Sequence, residues 1–252
     1  MGRFFDVLTA LGASSARLGA GIFASRRPAR QPPQLLELYE FEACPYCRKV
    51  RDALTVLDLD ALILPCPKGG TRFRPKVVAE GGKAQFPYLI DPNTGRRMYE
   101  SDDIVAYLFG EYADRRPTAL VSGPLATASS MAASACRPRG GARARPSRKP
   151  AEPLELYSFS ASPYAILVRE TLCELELPYH LHSVGKGARV DWLPPAIRPK
   201  LAPNAPPTTA NRQAFVARAG RVQVPYLVDP NEGVSLFESA EICRHLNETY
   251  AV

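Results

Sequence analysis

The segment Leu36-Glu-Leu-Tyr-Glu-Phe-Glu-Ala-Cys-Pro-Tyr-Cys47 recurs later in the chain as Leu154-Glu-Leu-Tyr-Ser-Phe-Ser-Ala-Ser-Pro-Tyr-Ala165. A second block, Phe86-Pro-Tyr-Leu-Ile-Asp-Pro-Asn93, recurs as Val224-Pro-Tyr-Leu-Val-Asp-Pro-Asn231. Two similar blocks in the same order indicate that the chain contains one structural unit twice. The second copy is longer by about 20 residues, and six prolines in 186–212 predict an irregular surface insertion there.

Each copy has the pattern strand, helix, strand, helix, strand, strand, helix, read from alternation and helical spacing. In the first copy the predicted elements are 35–41, 45–57, 61–64, 74–80, 88–90, 98–99 and 101–112. In the second copy they are 154–159, 163–175, 179–184, 210–219, 226–228, 235–237 and 239–250. Strands and helices in this order predict an α/β unit with a mixed sheet.

The length of the chain and the distribution of its charge indicate two domains, a basic tail and a basic linker. The 252 residues suit two domains of roughly 100 residues, which we place at 35–112 and 154–252, with a basic tail or targeting segment at 1–34 and a basic Pro/Ala/Ser linker at 113–153. The net charge of +7 belongs to the tail and linker, since 115–150 carries eight basic residues and no acid. We therefore expect no nucleic-acid partner, because a nucleic-acid reader carries its basic patch on the folded domain. The chain has no run long enough to span a membrane.

The first thirty residues resemble organelle-targeting segments in composition, being rich in Ala, Gly, Ser and Arg. The alternative is a retained amphipathic helix that lies on a membrane surface or a partner, since the larger apolar residues fall near helical spacing: Phe4, Leu8, Leu11, Leu18 and Ile22. A disordered tail is the third possibility. Within the linker, 118–136 is uncharged and predicts a short surface helix, and 137–153 predicts a solvated tether with weak attraction to an anionic membrane surface or an acidic partner.

The motif Cys44-Pro-Tyr-Cys47 carries the chemistry, because it follows a strand and begins a helix. Cys44 is placed at the N-cap, where free backbone N–H groups and the helix dipole favour a thiolate. Cys47 lies three residues on, on the same helical face, and can resolve a mixed disulfide. The alternatives are a zinc half-site or two structural cysteines. No second C-x-x-C and no Cys/His pair at ligand spacing follows in this repeat, so no metal is expected.

Two further segments complete the predicted site. Pro87 precedes a short strand, which suits a cis peptide bond after Phe86 that turns the proline toward the cysteines. Glu100-Ser101 begins the last helix of the copy, where Ser101 and its neighbouring N–H groups can hold a carboxylate. The alternative for Ser101 is an ordinary N-cap.

These three segments together resemble the glutaredoxin family and the N-terminal, thioredoxin-like domain of glutathione S-transferases, over about 36–112 and 154–250. The resemblance implies two tandem thioredoxin-like (glutaredoxin-like) domains, each a mixed four-stranded sheet flanked by helices. It implies that Cys44 faces the glutathione sulfur, that Phe86 before Pro87 pairs with the tripeptide backbone, and that Glu100 with Ser101 binds the γ-glutamyl end. Tyr46 of the motif is counted with the glutathione-binding residues.

The second copy has neither motif cysteine, so we expect no thiol exchange there. Its Ser162-Pro-Tyr start resembles the serine-type glutathione transferases, which implies a second glutathione site formed by Ser162, Tyr164, Val224, Pro225, Glu238 and Ser239. The alternative is that this copy serves packing alone, with Ser162 and Ser239 as helix caps. Elsewhere, Cys66 is predicted to be packed or a third thiol, and Cys173 and Cys243 are predicted core positions on helices.

As a whole, the chain resembles the tandem glutathione-transferase-like thioredoxin-fold proteins of plastids. This implies a soluble or peripheral plastid protein, with a mitochondrial or cytosolic location as the alternative. The implied activity is glutathione-dependent thiol–disulfide exchange, with glutathione as co-substrate and protein or small-molecule disulfides as partners. A non-catalytic glutathione-binding scaffold is the alternative. A transferase is third because the helical domain of complete transferases is missing. An iron–sulfur cluster bridged between two molecules of the protein by Cys44 and glutathione is the least favoured.

Overall fold

The computed structural model describes residues 2–25, 29–188, 191, 197–201 and 207–252. In chain order the elements are α1 (Arg3–Ala16), β1 (Leu36–Glu40), α2 (Pro45–Leu57), β2 (Ala61–Pro65), α3 (Arg74–Gly81), β3 (Tyr88–Asp91), β4 (Arg96–Met98), α4 (Ser101–Ala113), α5 (Pro124–Cys136), β5 (Leu154–Ser158), α6 (Pro163–Glu174), β6 (Tyr179–Ser183), α7 (Arg198–Leu201), α8 (Ala210–Ala219), β7 (Tyr226–Asp229), β8 (Val234–Phe237) and α9 (Ser239–Tyr250). Both copies follow the predicted order of elements, with the four-residue α7 as an addition inside the insertion of the second copy. Much of the predicted 186–212 insertion lies outside the described residues.

The eight strands form one sheet in the order β4-β3-β1-β2-β6-β5-β7-β8. Each copy contributes four neighbouring strands, with a parallel pair, β1/β2 or β5/β6, and antiparallel partners beside it. This confirms the predicted α/β class and the two mixed four-stranded sheets.

The two sheets are joined by antiparallel pairing of β2 with β6, which the sequence pattern did not predict. Ala61 lies opposite Leu181, and Ile63 lies opposite Tyr179. The pairing covers a strand edge of each copy that would otherwise expose unpaired backbone groups. One hydrophobic core extends across the seam between the copies.

The helices form where the sequence supplies a start and an apolar face. The α2 helix begins with Pro45 in its first turn and ends at Asp58, whose backbone is left-handed at φ 56°. Val50, Leu54 and Leu57 of α2 are buried against the sheet at helical spacing. Within the two copies, observed element bounds differ from the predicted ones by a residue or two, whereas the linker helix predicted over 118–136 begins only at Pro124. The strand β4 begins at Arg96, directly after the turn at Gly95.

The N-terminal segment and the linker are part of the folded unit. The α1 helix packs on α5 and α6, and α5 also packs on α2. The buried face of this helix layer consists of small side chains, among them Ala10, Ala13 and Ala133. The larger apolar residues of α1 face outward, with Phe4 76% and Leu8 51% accessible. The helix is therefore amphipathic, as one of the alternatives predicts, and its contact with a membrane surface or a partner stays a prediction.

Two arginines show that the tail and the linker are equivalent parts of the repeat. Arg17, directly after α1, pairs with Asp52 (Nη2 to Oδ2, 2.6 Å) and donates to the Ala126 carbonyl at 2.8 Å. Arg137, directly after α5, pairs with Glu170 (Nη2 to Oε2, 2.6 Å) and donates to the Asp6 carbonyl at 3.0 Å. Each pair of matched residues is separated by 118 or 120 positions, so the structural repeat begins upstream of the recognisable sequence blocks.

The basic linker is less solvated than its composition predicts. Arg137 binds Glu170 with two hydrogen bonds, and the Arg145 guanidinium lies 3.0 Å from Glu174. Acidic residues of α6 face this segment and hold it against the fold. The interpretation of 137–153 as a solvated tether therefore fails for these two side chains.

A buried charge cluster lies where the two copies meet. Glu42 Oε2 lies 3.1 Å from Nε of Arg169 in the second copy and 3.2 Å from Nη2 of Arg51 in the first. Arg51 also forms an ion pair with Glu40. All four side chains are at most 3% exposed. Buried charges are tolerated only when they are paired, so the cluster fixes the relative position of α2 and α6. None of the helices in the described ranges is long and apolar enough to cross a membrane.

Candidate functional site

Cys44 and Cys47 lie at the start of α2, as the motif predicts. Cys44 occupies the N-cap with an extended backbone, and its sulfur accepts a hydrogen bond from the backbone N–H of Cys47 at 3.3 Å. Cys44 is 4% exposed and Cys47 is fully buried. The two thiols thus differ in access, and only Cys44 keeps a solvent-facing fraction.

The environment separates the two thiols in acidity as well. Burial acts to raise the pKa of Cys44, but hydrogen bonds from the Cys47 thiol and from the N–H groups of Cys47 and Tyr46, together with the nearby charge of Arg48, outweigh it and hold this pKa below its ordinary value. Burial and the neighbouring Cys44 raise the pKa of Cys47 well above its ordinary value. A low-pKa, attacking thiol beside a high-pKa, resolving thiol is the arrangement that disulfide exchange requires.

Phe86 and Pro87 lie opposite the cysteines. The Phe86–Pro87 bond is cis, which confirms the prediction. The Phe86 carbonyl oxygen lies 4.0 Å from Cys44 Sγ. Phe86 also packs edge-on against Phe41 and lies under the guanidinium of Arg74. The segment before the cis bond therefore forms one wall beside the reactive sulfur.

The start of α4 forms the third part of the site. Glu100 has a left-handed backbone at φ 64°, and no side chain caps the helix after it. Its carboxylate accepts a hydrogen bond from Gln85. A positive φ at a residue other than glycine is costly, and Glu100 adopts it at the start of a helix and not at a helix end as Asp58 and Asp114 do. The uncapped N–H groups beside Ser101 remain suited to an anionic group, which favours the predicted anion site over an ordinary N-cap.

The linker helix α5 lies against the first turns of α2, which the sequence analysis missed. Ser130 Oγ donates to the Pro45 carbonyl at 2.6 Å, and Lys49 Nζ donates to Thr127 Oγ1 at 2.9 Å. Lys49 also pairs with Asp102 of α4 at 2.7 Å. The linker helix therefore contacts α2 immediately behind the motif, and Lys49 links α2 to α4 as well.

The second copy reproduces this geometry without the thiols. Ser162 Oγ accepts a hydrogen bond from the Ala165 N–H at 3.3 Å, and Val224–Pro225 is cis, as predicted. Glu238 repeats the strained backbone at φ 65° and accepts from Gln223 as Glu100 does from Gln85. The helix-cap role of Ser162 is thus present. Ser239 is not a cap, since its buried Oγ has no hydrogen-bond partner in the described parts of the chain.

The two glutamines were missed, although a signal for them existed. Gln85 and Gln223 directly precede the repeated Pro-Tyr-Leu blocks at the same offset. In both copies the glutamine joins the segment before the cis-proline to the glutamate that opens the last helix. Extending the aligned block by one residue would have identified them. The motif tyrosines, Tyr46 and Tyr164, are 44% and 47% exposed beside these sites.

The remaining cysteines lie outside the site chemistry. Cys66 is fully buried, and burial raises its pKa far above the ordinary value, so it is packed and not a third reactive thiol. Cys173 is buried and donates to the Gly141 carbonyl at 3.2 Å. Cys243 is partly buried, and Cys136 is the exposed one. The prediction of a core position is confirmed for Cys173 and holds only in part for Cys243.

The fold and the three convergent segments define a thioredoxin-like domain of the glutathione-binding type, present twice. The family model described as "Glutathione S-transferase, N-terminal domain" matches residues 38–116 and 156–252, together more than half of the chain. The chain belongs to this family, whose domains bind glutathione. No curated protein and no solved structure matches it significantly.

Proposed function

We propose that the first copy is a glutathione-dependent thiol–disulfide oxidoreductase in which Cys44 attacks and Cys47 resolves. The observation that carries this proposal is the pairing at the start of α2. Cys44 Sγ, whose pKa is lowered, accepts a hydrogen bond from the backbone N–H of Cys47, whose own buried thiol has a raised pKa. A zinc half-site or a structural pair would not need thiols of opposite acidity.

The proposed reaction transfers two electrons from glutathione to the substrate disulfide through Cys44 and Cys47. The Cys44 thiolate attacks one sulfur of a substrate disulfide, forming a mixed disulfide and releasing the other substrate sulfur as a thiolate that takes up a proton. The Cys47 thiol loses its proton and displaces the second substrate thiol, which leaves a Cys44–Cys47 disulfide. A glutathione thiolate then attacks Cys44 and releases Cys47, and a second glutathione releases oxidised glutathione and restores Cys44. Two glutathione molecules are oxidised for each substrate disulfide reduced.

Glutathione is held by the walls around Cys44. The backbone of Phe86 before the cis Pro87 suits pairing with the extended tripeptide, and the uncapped start of α4 at Ser101 suits its γ-glutamyl carboxylate. Glu100 carries a carboxylate beside that helix start and suits the γ-glutamyl ammonium. Tyr46 supplies an exposed aromatic wall beside the sulfur.

The test is a turnover assay that couples reduction of a small disulfide by glutathione to glutathione reductase. The wild-type chain is expected to turn over, and Cys44→Ser is expected to lose all activity above background. Cys47→Ser is expected to keep activity on glutathione mixed disulfides but to lose it on protein disulfides, because only the latter need the resolving thiol. Cys136→Ser, which changes the exposed cysteine outside the motif, is the matched control. Activity of Cys44→Ser equal to wild type would refute the proposal.

A non-catalytic glutathione-binding scaffold is the second candidate, and the low exposure of Cys44 favours it. At 4% exposure, the sulfur reaches a bulky disulfide only if its surroundings move. The second copy, which retains the walls but has Ser162 at the attacking position, supports the same view. Binding of glutathione without turnover by the wild type would select this candidate. A glutathione transferase comes third, because the first copy is followed by the single helix α5 and the second thioredoxin-like copy, where a transferase has an all-helical domain.

We propose a plastid location on the whole-chain resemblance, and we propose that the N-terminal helix is retained in the folded protein. The buried Arg17–Asp52 pair and the buried Ala10 and Ala13 support retention, since loss of α1 would leave Asp52 without its cation. The membrane or acidic-partner contact of the linker stays a weaker proposal, because Arg137 and Arg145 already bind acidic residues of α6.

A further inference from the structure

His180 and His182 lie beside Asp60 at the seam between the two copies. The histidines are alternate residues of β6 and therefore face the same side of the sheet. Asp60 directly precedes β2, the strand of the first copy that pairs with β6. Two of the three histidines of the chain are thus brought to one carboxylate from the other repeat.

The distances suit a shared ion. Asp60 Oδ2 lies 2.9 Å from His182 Nδ1 and 3.4 Å from His180 Nε2. One ligand atom from each of the three residues can be chosen so that all lie within 4.8 Å of one another. A tetrahedral zinc ion with bonds of about 2.0–2.2 Å places its ligand atoms about 3.3 Å apart. The 3.4 Å separation already matches this value, and the 2.9 Å separation is a hydrogen-bond distance that an ion in place of the proton would widen by about 0.4 Å.

The donor atoms are also oriented by neighbours. His182 Nε2 faces Glu155 Oε2 at 3.2 Å, leaving Nδ1 turned toward Asp60. Asp60 Oδ1 accepts from the Ser183 N–H at 3.2 Å and from Asn211 Nδ2 at 2.6 Å, leaving Oδ2 turned toward the histidines. A carboxylate behind a histidine and hydrogen bonds behind a carboxylate are the usual outer contacts of metal ligands.

His180 Nε2 has the weakest contact of the cluster. This buried atom makes no well-formed hydrogen bond with the described residues, and its one polar neighbour among the three residues is Asp60 Oδ2 at 3.4 Å. The His180 and His182 rings lie 3.9 Å apart, and their side chains are 27% and 18% exposed. A buried polar atom with an incomplete hydrogen bond is costly, and an ion that enters from the open side would complete its contacts.

We propose that Asp60, His180 and His182 form a binding site for a divalent transition-metal ion of the zinc type, with a further position open to water. Imidazole and carboxylate donors suit zinc better than magnesium or calcium, which prefer oxygen ligands alone. The ion would join β6 of the second copy to the start of β2 in the first. The sequence-based prediction of no metal rested on the cysteine spacing of the first repeat. It left out the segment His180-Leu181-His182 of the second repeat. The site is independent of the thiol chemistry.

The test is a calorimetric titration of zinc chloride into the full chain. Cys44→Ser and Cys47→Ser are introduced first, so that the motif thiols cannot bind the ion. We expect one strong site per chain, and at least about a tenfold loss of affinity when His180→Asn and His182→Asn are added. His245→Asn is the matched control, since this third histidine binds Asp229 in the second copy. It is expected to leave the affinity unchanged.

Thermal unfolding gives a second readout. Zinc should raise the unfolding midpoint of the parent chain and of His245→Asn, because an ion bound only to the folded state stabilises it. The midpoint of the double histidine variant should not respond. If that variant fails to fold without metal, the isosteric Asp60→Asn replaces it in both measurements. The absence of a strong site in the parent chain, or equal affinity in the ligand variants, would overturn the proposal.

Discussion

The backbone N–H of Cys47 donates a hydrogen bond to the Cys44 sulfur at 3.3 Å, within the pair that the proposed reaction joins by a disulfide. The contact favours the thiolate form of Cys44. We therefore expect alkylation of Cys44 to follow a midpoint pH below the ordinary thiol value of about 8.5. The thiolate fraction, and with it the rate, increases as the pH rises through that midpoint. The measurement is iodoacetamide labelling against pH with assignment by mass spectrometry.

Cys47 and Cys66 provide internal controls for this labelling. Both are fully buried with raised pKa values, so both should remain unlabelled in the folded chain. Labelling of either before Cys44, or a Cys44 midpoint at or above that of a thiol in an unfolded peptide, would contradict the assignment of the attacking residue.

The buried pair of Arg17 and Asp52 predicts that the N-terminal segment stabilises the first copy. Arg17→Met leaves Asp52 buried without its cation, since the two side chains are 1% and 0% exposed. We expect a loss of about 3–5 kcal/mol in the free energy of unfolding, the usual cost of breaking a buried ion pair from one side. Urea denaturation followed by circular dichroism measures it.

Arg244→Met is the matched control for that variant, because Arg244 pairs with Glu241 on the exposed face of α9. Exposed pairs contribute little, so this variant should unfold like the wild type. Equal midpoints for Arg17→Met and Arg244→Met would contradict a stabilising role for the buried pair of Arg17 and Asp52.

The hydrogen bonds of Asp91 predict that the free energy of unfolding falls in acid. Its buried carboxylate accepts hydrogen bonds from Tyr107 and Tyr112, at 2.6 and 2.5 Å, and from Asn93. Burial acts to raise the pKa of Asp91, but these hydrogen bonds outweigh it and lower the pKa. Since the folded-state pKa lies below the unfolded value of about 3.9, this stabilisation is complete above that pH and is lost as the pH falls through the folded-state pKa.

Asp91→Asn should therefore cost about 1–3 kcal/mol at pH 7, the usual cost of disturbing buried hydrogen bonds to a charged group, and less in acid. Urea unfolding at pH 7 and near pH 3 gives the two values. Asp103→Asn, an exposed carboxylate near the start of α4, is the control. A cost for Asp91→Asn that does not shrink in acid would show that its charge is not what stabilises the turn.

The sequence predicted the parts of the molecule that depend on local pattern. The bounds of α2 follow from Pro45 at its start and from the apolar spacing of Val50 and Leu54, and the repeated Pro-Tyr-Leu blocks predicted both cis bonds. The pairing of β2 with β6 could not be predicted, because strands pair through backbone groups that are the same for every residue, so the sequence of an edge strand does not specify its partner. The packing of α1 on α5 and α6 was not predicted, because Ala10 and Ala13, which form its buried face, carry no strong apolar signal in the sequence. The 120-residue spacing of Arg17 and Arg137 could have revealed the longer repeat.

The second copy should bind glutathione without exchanging thiols. The uncapped start of α9 and the unpartnered Ser239 Oγ favour binding of the γ-glutamyl carboxylate, and Ser162 can donate to the glutathione sulfur. The measurement is calorimetric titration of glutathione into full-length Cys44→Ser. Ser162→Ala with Ser239→Ala should remove one binding event. Heat unchanged by the double substitution would leave this copy with a packing role alone.

Glutathione adduct formation tests the central proposal most directly. A chain carrying Cys47→Ser and Cys136→Ser retains Cys44 but has neither the resolving thiol nor the exposed cysteine of α5. After incubation with oxidised glutathione, intact mass and peptide mapping should show one glutathione per chain, attached to Cys44 and removed by reduced glutathione. A chain that stays unmodified, or that carries its glutathione on Cys66, Cys173 or Cys243, would contradict the account of Cys44 as the exchanging thiol.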